Sequence, residues 1–274
     1  MLLGKENIDL QLTLIDSAQS FSWKESGGAY YAALACGPVK LWQDTDGVHG
    51  EGAGQAYMRA YLDLERDYEI IAREFSHVPC AMRAMQLYPG MRVLRQDPWE
   101  MIISFILSAN NNVARIRTLV NNISGLLGKK YEMDGMMLCA LPEPQELASA
   151  QEAELRAVGV GYRAPYLIET AKRVCEGFPI DQLSTMSYEE AHKLLISLPG
   201  VGDKVADCVQ LFGCGHCCAF PVDVWVERLL RSWFHMENCS RKNMPAAARE
   251  LLGPNCGIMQ QFLFHAARTG DIEL

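Results

Sequence analysis

The pattern of hydrophobic and polar positions divides the chain into two parts. Apolar residues alternate at a period of two through Ile8, Leu10, Leu12 and Leu14, as expected for a half-buried strand. Residues 30–42 are rich in aromatic and apolar side chains, and the Asp44-Thr-Asp-Gly47 segment after them is typical of a hairpin turn. The first 55 residues are therefore predicted to form antiparallel β structure.

The pattern changes at about Ala56, where apolar residues begin to recur every three or four positions. From there the chain is predicted to stay helical, with short Pro and Gly joints. Asp97-Pro98 predicts the start of a helix that continues through about Leu107, because proline is favoured in the first turn.

Capping signals predict further helix starts. Ser149 and Glu152, and likewise Ser187 and Glu190, have the spacing of a capping box. Gly253-Pro254 is expected to precede a last helix that ends near Arg268. The sequence thus predicts an α+β fold, with an antiparallel β-sheet domain followed by an all-α domain that contains a cleft.

Residues 198–209, LPGVGDKVADCV, are predicted to form a tight hairpin that leads directly into a helix. Gly200 and Gly202 allow positive φ angles and the close approach of another backbone. The helix that starts near Asp203 has free N–H groups in its first turn, which suit a phosphate. The backbone of Gly200, Val201 and Gly202 is therefore a candidate phosphate-binding hairpin.

Lys204 lies in the first turn of that helix, where the helix dipole is unfavourable for a cation and favours a nucleophilic amine. Asp223 follows after about one helix and one loop and is expected to fold back beside it. A purely structural interpretation makes Lys204 a solvated lysine and Asp223 the N-cap of a helix over 224–234. The chemical interpretation makes them a catalytic pair.

Composition limits the class of protein. The 274 residues are 49% hydrophobic and 21% charged, which is typical of a globular chain. The net charge of −8 argues against nucleic-acid binding in general but does not exclude a local phosphate site made of backbone amides. We expect no signal peptide, because the N-terminus has no long apolar run before its first charges. We expect no membrane association, because the longest apolar stretch, around Trp99 to Leu107, is too short to span a bilayer. A cytoplasmic location is expected.

The chain has ten cysteines, and those that are scattered singly are consistent with a reducing cell. Four of them, Cys36, Cys80, Cys139 and Cys175, are scattered singly. A cluster between Cys208 and Cys218 includes His216, and a Cys-x-x-Cys pair beside a histidine is one way to begin a zinc site. Cys239 and Cys256 do not complete it with a second pair, so a thiol-rich loop is favoured and no metal is expected.

The hairpin, Lys204 and the Pro221-Val-Asp223 segment together resemble the helix-hairpin-helix superfamily of DNA glycosylases. Within it, the chain is most similar to the eukaryotic-type 8-oxoguanine DNA glycosylase/lyase family. The resemblance extends nearly end to end, through Ser17-Ala-Gln-Ser-Phe21, Gln96-Asp-Pro98, Ser108-Ala-Asn-Asn-Asn112 through Arg115, Gly161-Tyr-Arg163, the hairpin and the last helix. It implies a β-rich domain over 1–90 with a terminal helix. It also implies a helix-hairpin-helix glycosylase domain over 91–274, whose cleft is closed by the final helix.

By this resemblance, Lys204 attacks the sugar and forms an imine, and Asp223 stabilises the positive charge that develops there. The imine allows elimination of the 3′ phosphate, so the activity implied is excision of 8-oxoguanine opposite cytosine followed by strand cleavage. Flipping the base also requires residues that fill the gap. Asn110, Arg115 and Arg163 would contact the orphaned cytosine, and Tyr162 would wedge into the duplex.

The resemblance also implies a base pocket made by Ala18, Gln260, Phe264 and Cys208. Ala18 would offer a backbone carbonyl, Gln260 would bond the pairing edge, and Phe264 would stack on the ring. Cys208 would pack against the other ring face or simply lie in the core. Two positions depart from the family pattern. Ala18 replaces the usual glycine, which affects how closely the base approaches, and Trp225 replaces a histidine, so a phosphate contact is not carried over. An iron–sulfur cluster is not expected.

The same resemblance implies no organic cofactor, with a monovalent cation at the hairpin carbonyls near Gly200 and Gly202 as the one candidate ion. The partner is double-stranded DNA containing 8-oxoguanine, bound by a monomer, on the nucleoid in a prokaryote. Two alternatives stay open at this point. One is an alkylpurine glycosylase of the same fold, which typically lacks the lysine. The other is a non-catalytic DNA-binding module, which has no need of Asp223.

Overall fold

The computed structural model describes residues 1–272 and places an antiparallel sheet before a helical body. Five strands form the sheet, in the order β1-β5-β4-β3-β2, and a separate two-stranded hairpin follows later in the chain. The strands are β1 (Leu2–Gly4), β2 (Lys24–Ser26), β3 (Ala29–Leu34), β4 (Gly37–Asp44), β5 (Gly47–Glu51), β6 (Lys130–Met133) and β7 (Met136–Cys139). The predicted α+β class is confirmed, and so is the turn that joins Asp44 to Gly47.

Helices make up most of the chain after residue 54. They are α1 (Gln55–Tyr61), α2 (Tyr68–Glu74), α3 (Pro79–Leu87), α4 (Pro98–Ser108), α5 (Val113–Leu127), α6 (Pro144–Ala148), α7 (Glu152–Ala157), α8 (Ala164–Cys175), α9 (Tyr188–Leu195), α10 (Asp203–Val209), α11 (Val224–Trp233), α12 (Met244–Leu252) and α13 (Cys256–Thr269). Short π-helical segments occupy Leu12–Asp16 and Gln210–Cys214, and 3₁₀ segments occupy Gly161–Arg163 and Ile180–Thr185.

The strand predicted over residues 8–14 is wrong, because residues 10–16 are helical. Asp9 starts the helix: its carboxylate accepts the N–H of Leu12 at 2.9 Å and its carbonyl accepts the N–H of Thr13 at 2.9 Å. Leu10 and Leu14 are four residues apart, share one helix face and are both buried. Alternation and helical spacing agree at these two positions, and the capping aspartate decides between them.

The prediction that the chain stays helical after Ala56 fails at β6 and β7. These strands are joined by Asp134 and Gly135, whose φ angles of 50° and 75° are those of a two-residue hairpin turn. The hairpin covers the second face of the sheet, where Leu138 and Ala140 pack on Ala29, Tyr31 and Ala33 of β3. That contact explains why β3 is apolar on both faces.

One of the two predicted capping boxes is confirmed. Ser187 caps α9 together with Glu190, and the helix-hairpin-helix predicted after it is present as α9, a tight turn and α10. The other box is wrong. Ser149 ends α6 instead, with its hydroxyl donated to the carbonyl of Gln145, and Gln151 with Glu154 forms the box that starts α7. The capping pattern was two residues out of register.

The predicted helix start at Asp97-Pro98 is confirmed. The Asp97 carboxylate accepts the N–H groups of Trp99 and Glu100. The predicted last helix is also present, as α13. Across residues 1–272, no helix is both long and apolar enough to cross a membrane. The domain boundary predicted at residue 90 stays a prediction.

Burial places one acidic side chain of α4 in an unfavourable setting. Glu100 is 6% exposed, and burial, together with the charge of Asp97, raises the pKa of its carboxyl from 4.5 to about 8. The backbone N–H of Ala35, in the turn between β3 and β4, opposes this by donating to the carboxylate. Helix α4 is thus joined to the sheet through a carboxyl group that holds its proton at neutral pH.

We expect the Glu100 carboxyl to make stability fall as pH rises from about 4.5 to about 8. The folded state keeps this proton in that window while the unfolded state releases it, so unfolding releases a proton. Glu100→Gln removes the titration and keeps an acceptor for Ala35, and it should raise the free energy of unfolding at pH 8 by about 1–3 kcal/mol. Urea denaturation at several pH values measures this. Glu250→Gln, an exposed change on α12, is the control, and equal pH slopes in wild type and Glu100→Gln would contradict the expectation.

Candidate active site

One cavity brings together residues from both ends of the chain. It encloses about 340 Å³, counting its opening to solvent. Its lining comprises Ala18, Phe105, Lys204, Cys208, Phe212, Pro221, Asp223, Gln260, Gln261 and Phe264. All six residues predicted for catalysis and for the base pocket therefore lie around a single space, although they come from segments more than 200 positions apart.

Lys204 is held against α4 in the free protein. Its Nζ donates to Oγ of Ser108 at 3.0 Å and lies 4.9 Å from the centre of the Phe105 ring. The Ser108 hydroxyl is donated in turn to the carbonyl of Phe105 at 2.7 Å. Because that proton is committed, Ser108 can only accept from the amine, and a neutral Lys204 would keep its lone pair free.

Asp223 has a structural contact in addition to its place at the cavity. Its Oδ1 accepts the N–H groups of Trp225 and Val226, each at 2.9 Å, and so caps α11. Among the ion pairs of the described residues, none joins Asp223 to Lys204. The two catalytic candidates line the same space without neutralising each other.

The base-pocket candidates offer an acceptor and two packing surfaces. Gln260 is 4% exposed, and its Nε2 makes a long 3.4 Å bond to the carbonyl of Pro221. Within residues 1–272 its Oε1 is buried with no hydrogen-bond partner. Burial raises the pKa of the Cys208 thiol to about 12, so this sulfur stays protonated and acts as a packing surface.

Ala18 adopts a left-handed backbone conformation with φ of 60°. Alanine pays about 1–2 kcal/mol for this region, which glycine enters freely. The chain therefore keeps a glycine-like backbone at the pocket even though its residue carries a methyl group.

The residues predicted to contact the opposite base form a second cluster. Nδ2 of Asn110 donates to the hydroxyl of Tyr162 at 3.0 Å, and Asn110 itself has a positive φ of 52°. Tyr162 is 47% exposed and has the guanidinium of Arg163 4.4 Å from its ring centre. The structure thus brings the predicted wedge next to the predicted base contact.

The two arginines of this cluster are engaged with backbone carbonyls. Arg163 is 7% exposed and donates to the carbonyls of Ala109 and Val160, and Arg115 donates to the carbonyl of Gly159 at 3.1 Å. Reading a cytosine would require these guanidinium groups to exchange carbonyls for base acceptors, and their readout role stays a prediction.

The hairpin between α9 and α10 is fixed by its neighbours. Gly200 has φ of 79°, and the hydroxyl of Thr170 donates to the carbonyl of Pro199 at 3.0 Å. Val201 N–H closes the turn on the carbonyl of Leu198. Gly202 is the N-cap of α10, and the first N–H groups of that helix precede its first intrahelical bond.

The thiol-rich loop has no sign of a metal centre. Among the described residues, no group of three or more His, Cys, Asp and Glu side chains is placed to hold an ion. Both ring nitrogens of His216 already have partners, namely Oε1 of Gln210 at 2.8 Å and the carbonyl of Met186 at 3.1 Å.

Sequence reasoning missed several residues of the cavity. Phe105, Phe212 and Pro221 lie in apolar segments, where nothing in the pattern separates a lining residue from a core residue. Gln261 is polar and could have been suspected, since it interrupts an apolar helix. The same holds for Ser108, which opens the asparagine-rich segment and accepts a hydrogen bond from Lys204 without lining the cavity.

Comparison with known proteins gives the same result for both parts of the chain. Residues 1–102 match the family described as 8-oxoguanine DNA glycosylase, N-terminal domain. Residues 103–254 match the family described as HhH-GPD superfamily base excision DNA repair protein.

Individual relatives agree. A probable N-glycosylase/DNA lyase of Methanothermobacter thermautotrophicus is 33% identical over 233 residues, which cover 77% of this chain and 73% of the relative. An N-glycosylase/DNA lyase of Arabidopsis thaliana is 31% identical, covering 89% of this chain and 71% of the relative. The Clostridium acetobutylicum 8-oxoguanine glycosylase/lyase, solved with double-stranded DNA containing cytosine opposite 8-oxoguanine, superimposes with a TM-score of 0.91 at 33% identity. That match covers 97% of this chain and 94% of the solved one.

The hairpin geometry predicts that Gly200 and Gly202 respond differently to the same change. A Cβ at Gly200 would lie 2.9 Å from Cβ of Tyr166 and would sit on a backbone with positive φ, so Gly200→Ala should cost about 1–3 kcal/mol of stability. Gly202 has φ of −100° and open space around the position of a Cβ, so Gly202→Ala should leave stability nearly unchanged. Thermal denaturation measures both, and equal shifts would show that the hairpin backbone is not fixed as described.

Proposed function

This chain belongs to the 8-oxoguanine DNA glycosylase family of the helix-hairpin-helix base excision repair superfamily, and we propose that it excises 8-oxoguanine through a lysine imine. It is a bifunctional DNA N-glycosylase and lyase that acts on double-stranded DNA. The observation that carries the catalytic proposal is the single cavity that holds the Lys204 amine, the Asp223 carboxylate and the unpaired Gln260 amide oxygen.

The proposed chemistry assigns one step to each group. The flipped nucleotide enters the cavity, and Lys204 Nζ, after losing a proton, bonds to C1′ of the sugar as the bond from C1′ to the base breaks and the base leaves with a proton. The C1′–O4′ bond of the sugar ring then breaks, O4′ takes a proton, and the nitrogen becomes the imine nitrogen. Asp223 faces the sugar and stabilises the positive charge that develops on it. Loss of a proton from C2′ of the resulting imine then expels the 3′ phosphate and cuts the strand.

The pocket supports 8-oxoguanine as the base. Gln260 Oε1 is a buried acceptor in need of a donor, which the N–H groups on the pairing edge of guanine supply. Phe264 and the protonated Cys208 thiol offer apolar surfaces for the two ring faces. The proposed preference for cytosine opposite the lesion rests on Asn110 and Arg163, which contact Tyr162, and on Arg115, which donates to the carbonyl of Gly159.

Three further points are proposals that follow from the same family resemblance: a monomeric state, a cytoplasmic location on chromosomal DNA, and a monovalent cation on the hairpin carbonyls near Gly200 and Gly202. The Gly202 carbonyl already accepts the N–H of Ala206, and that of Pro199 accepts the Thr170 hydroxyl. A cation there would share carbonyls that have one lone pair in use.

Borohydride trapping on a duplex with 8-oxoguanine opposite cytosine tests the imine. Wild type should give a covalent protein–DNA band, and Lys204→Gln should give none while binding the lesion within about threefold of wild type, because the change removes the nucleophile but keeps the pocket. Lys193→Gln, an exposed change on α9, is the matched control and should trap like wild type.

The same assay contains the outcomes that would overturn the proposal. Base release without a band in wild type would mean a water-dependent glycosylase, and faster release of a methylated adenine would mean an alkylpurine glycosylase. Equal DNA binding with no turnover of any lesion would mean a binding module. Repeating the assay with each base opposite the lesion tests the cytosine preference, and equal rates would remove it.

Asp223→Asn should separate the two contacts of this residue. Asparagine caps a helix as well as aspartate does, so α11 and overall stability should be preserved. Base release should fall by about 10²–10³, because the charge facing the sugar is lost. Single-turnover excision measures the effect. Asp67→Asn, which caps α2 through the same pair of N–H contacts, is the control and should leave excision unchanged. Comparable losses in the two variants would show that Asp223 is only a cap.

A further inference from the structure

The backbone that leads into the base cavity has an unusual set of partners. The carbonyl of Ile15 accepts from Nη2 of Arg117 at 2.9 Å, and that of Asp16 accepts from Nη2 of Arg268. The carbonyl of Ser17 accepts from Nε2 of Gln261 at 2.7 Å. Three successive carbonyls thus each accept a hydrogen bond from a side chain of α5 or α13.

The fourth carbonyl of the series is different. Among the described residues, no donor bonds to the carbonyl of Ala18, the residue of this segment that lines the cavity. A buried or half-buried carbonyl without a partner is costly unless a ligand supplies the donor. The segment 15–18 therefore leaves one acceptor free, at the place where a base would lie.

Holding the segment in this way is itself costly. Both arginines are half-buried, and the Nε atom of each is buried without a hydrogen-bond partner in the described part of the chain. Burial lowers the pKa of the Arg268 guanidinium, and the nearby charge of Arg117 lowers it further, while Asp16 opposes this. Placing two like charges beside one loop costs free energy, which indicates that the position of the segment 15–18 has to be fixed.

The backbone of Ala18 explains why the segment has to be held in place. Its φ of 60° is unfavourable for alanine, and such a backbone persists only where the surroundings fix it on several sides. Arg268 also lies 6.0 Å from the centre of the Phe264 ring, which lines the cavity. The same guanidinium thus contacts the strained segment and the ring on which the base would stack.

We propose that Arg117, Arg268 and Gln261 are positioning residues that set base selectivity by leaving the Ala18 carbonyl as a free acceptor at the cavity, in addition to the amide oxygen of Gln260. The inference deepens the proposed function and rests on it. Oxidation of guanine at C8 converts N7 from an acceptor to an N–H donor. An acceptor fixed at Ala18 forms a hydrogen bond with the N7–H of the oxidised base. In unmodified guanine the same acceptor faces the lone pair of N7 and forms no bond.

The expected effect follows from this mismatch. A site built to bond one N–H rejects an analogue that lacks it, because its buried acceptor is then left unpaired. A mobile Ala18 carbonyl could turn away or bond to a neighbouring donor, and the discrimination would shrink. We expect the ratio of 8-oxoguanine to guanine excision to fall by about ten- to a hundredfold when a positioning donor is removed.

The test uses Gln261→Met, Arg268→Met and Arg117→Met in the full chain. Methionine approximates the length of each side chain and donates no hydrogen bond. Two substrates are compared under single turnover, a duplex with 8-oxoguanine opposite cytosine and the same duplex with an abasic site, and release of guanine from the undamaged duplex gives the selectivity ratio. Excision of 8-oxoguanine should fall about tenfold or more, while cleavage at the abasic site, which needs Lys204 but no base, should stay within about twofold.

Two further variants separate positioning from general stability. Arg59→Met removes a guanidinium that donates to the carbonyl of Leu3 in the sheet, away from the cavity, and should leave both rates unchanged. Arg268→Lys retains a donor and should recover most of the 8-oxoguanine rate. If Arg268→Met or Arg117→Met does not fold, Gln261→Met, which changes one buried amide, decides the question.

The outcomes are distinct. Parallel loss of both rates in the folded variants would show that the three residues are merely structural, and unchanged excision of 8-oxoguanine would show that they do not govern base selection. Either result overturns the inference and leaves the proposed function intact. Wild type that cleaves abasic DNA but releases no 8-oxoguanine would overturn the proposed function instead.

Discussion

The cavity depends on a buried amide that joins the N-terminal segment to the helical body. Gln19 is fully buried and donates to the carbonyls of Thr13 and Arg92, while its own oxygen accepts the N–H of Leu94. Gln96, which directly precedes the N-cap residue of α4, donates to the carbonyl of Gln19. Because every polar atom of the Gln19 side chain is paired, one register between the two segments satisfies them, and any other leaves buried groups unpaired. That register places Ala18 opposite α10 and α13.

Much of this arrangement could be predicted from local sequence, and the reason is physical. Gly200, Gly202 and the residue between them predict the hairpin and the start of α10, because a tight turn needs backbone freedom at fixed positions. Lys204 and Asp223 could be proposed as partners because glycosidic cleavage through an imine uses an amine and a carboxylate that faces the sugar, and because the segments around both residues resemble the family pattern.

Local patterns failed where two interpretations shared the same residues. Leu10 and Leu14 fit both a strand and a helix, and Asp9, one position earlier, was the deciding signal. Asp134-Gly135 was a direct hairpin signal that the helical surroundings obscured. The partners of the bonds from α5 and α13 to residues 15–17 could not be predicted, since a side chain that donates to a distant carbonyl places no demand on the identity of the residue that accepts.

Those last bonds also bear on how the protein is made. Ser17 and Gln261 are 244 positions apart, and Asp16 and Arg268 are 252 positions apart. A ribosome adds roughly 5–20 residues each second, so the N-terminal segment waits on the order of ten seconds or more for the helix that fixes it. Contacts of such long range form late. During synthesis the proposed nucleophile of α10 is made before the residues of α13 that are proposed to select its base. On that proposal, base selectivity is expected only after α13 has packed against the segment at residue 18.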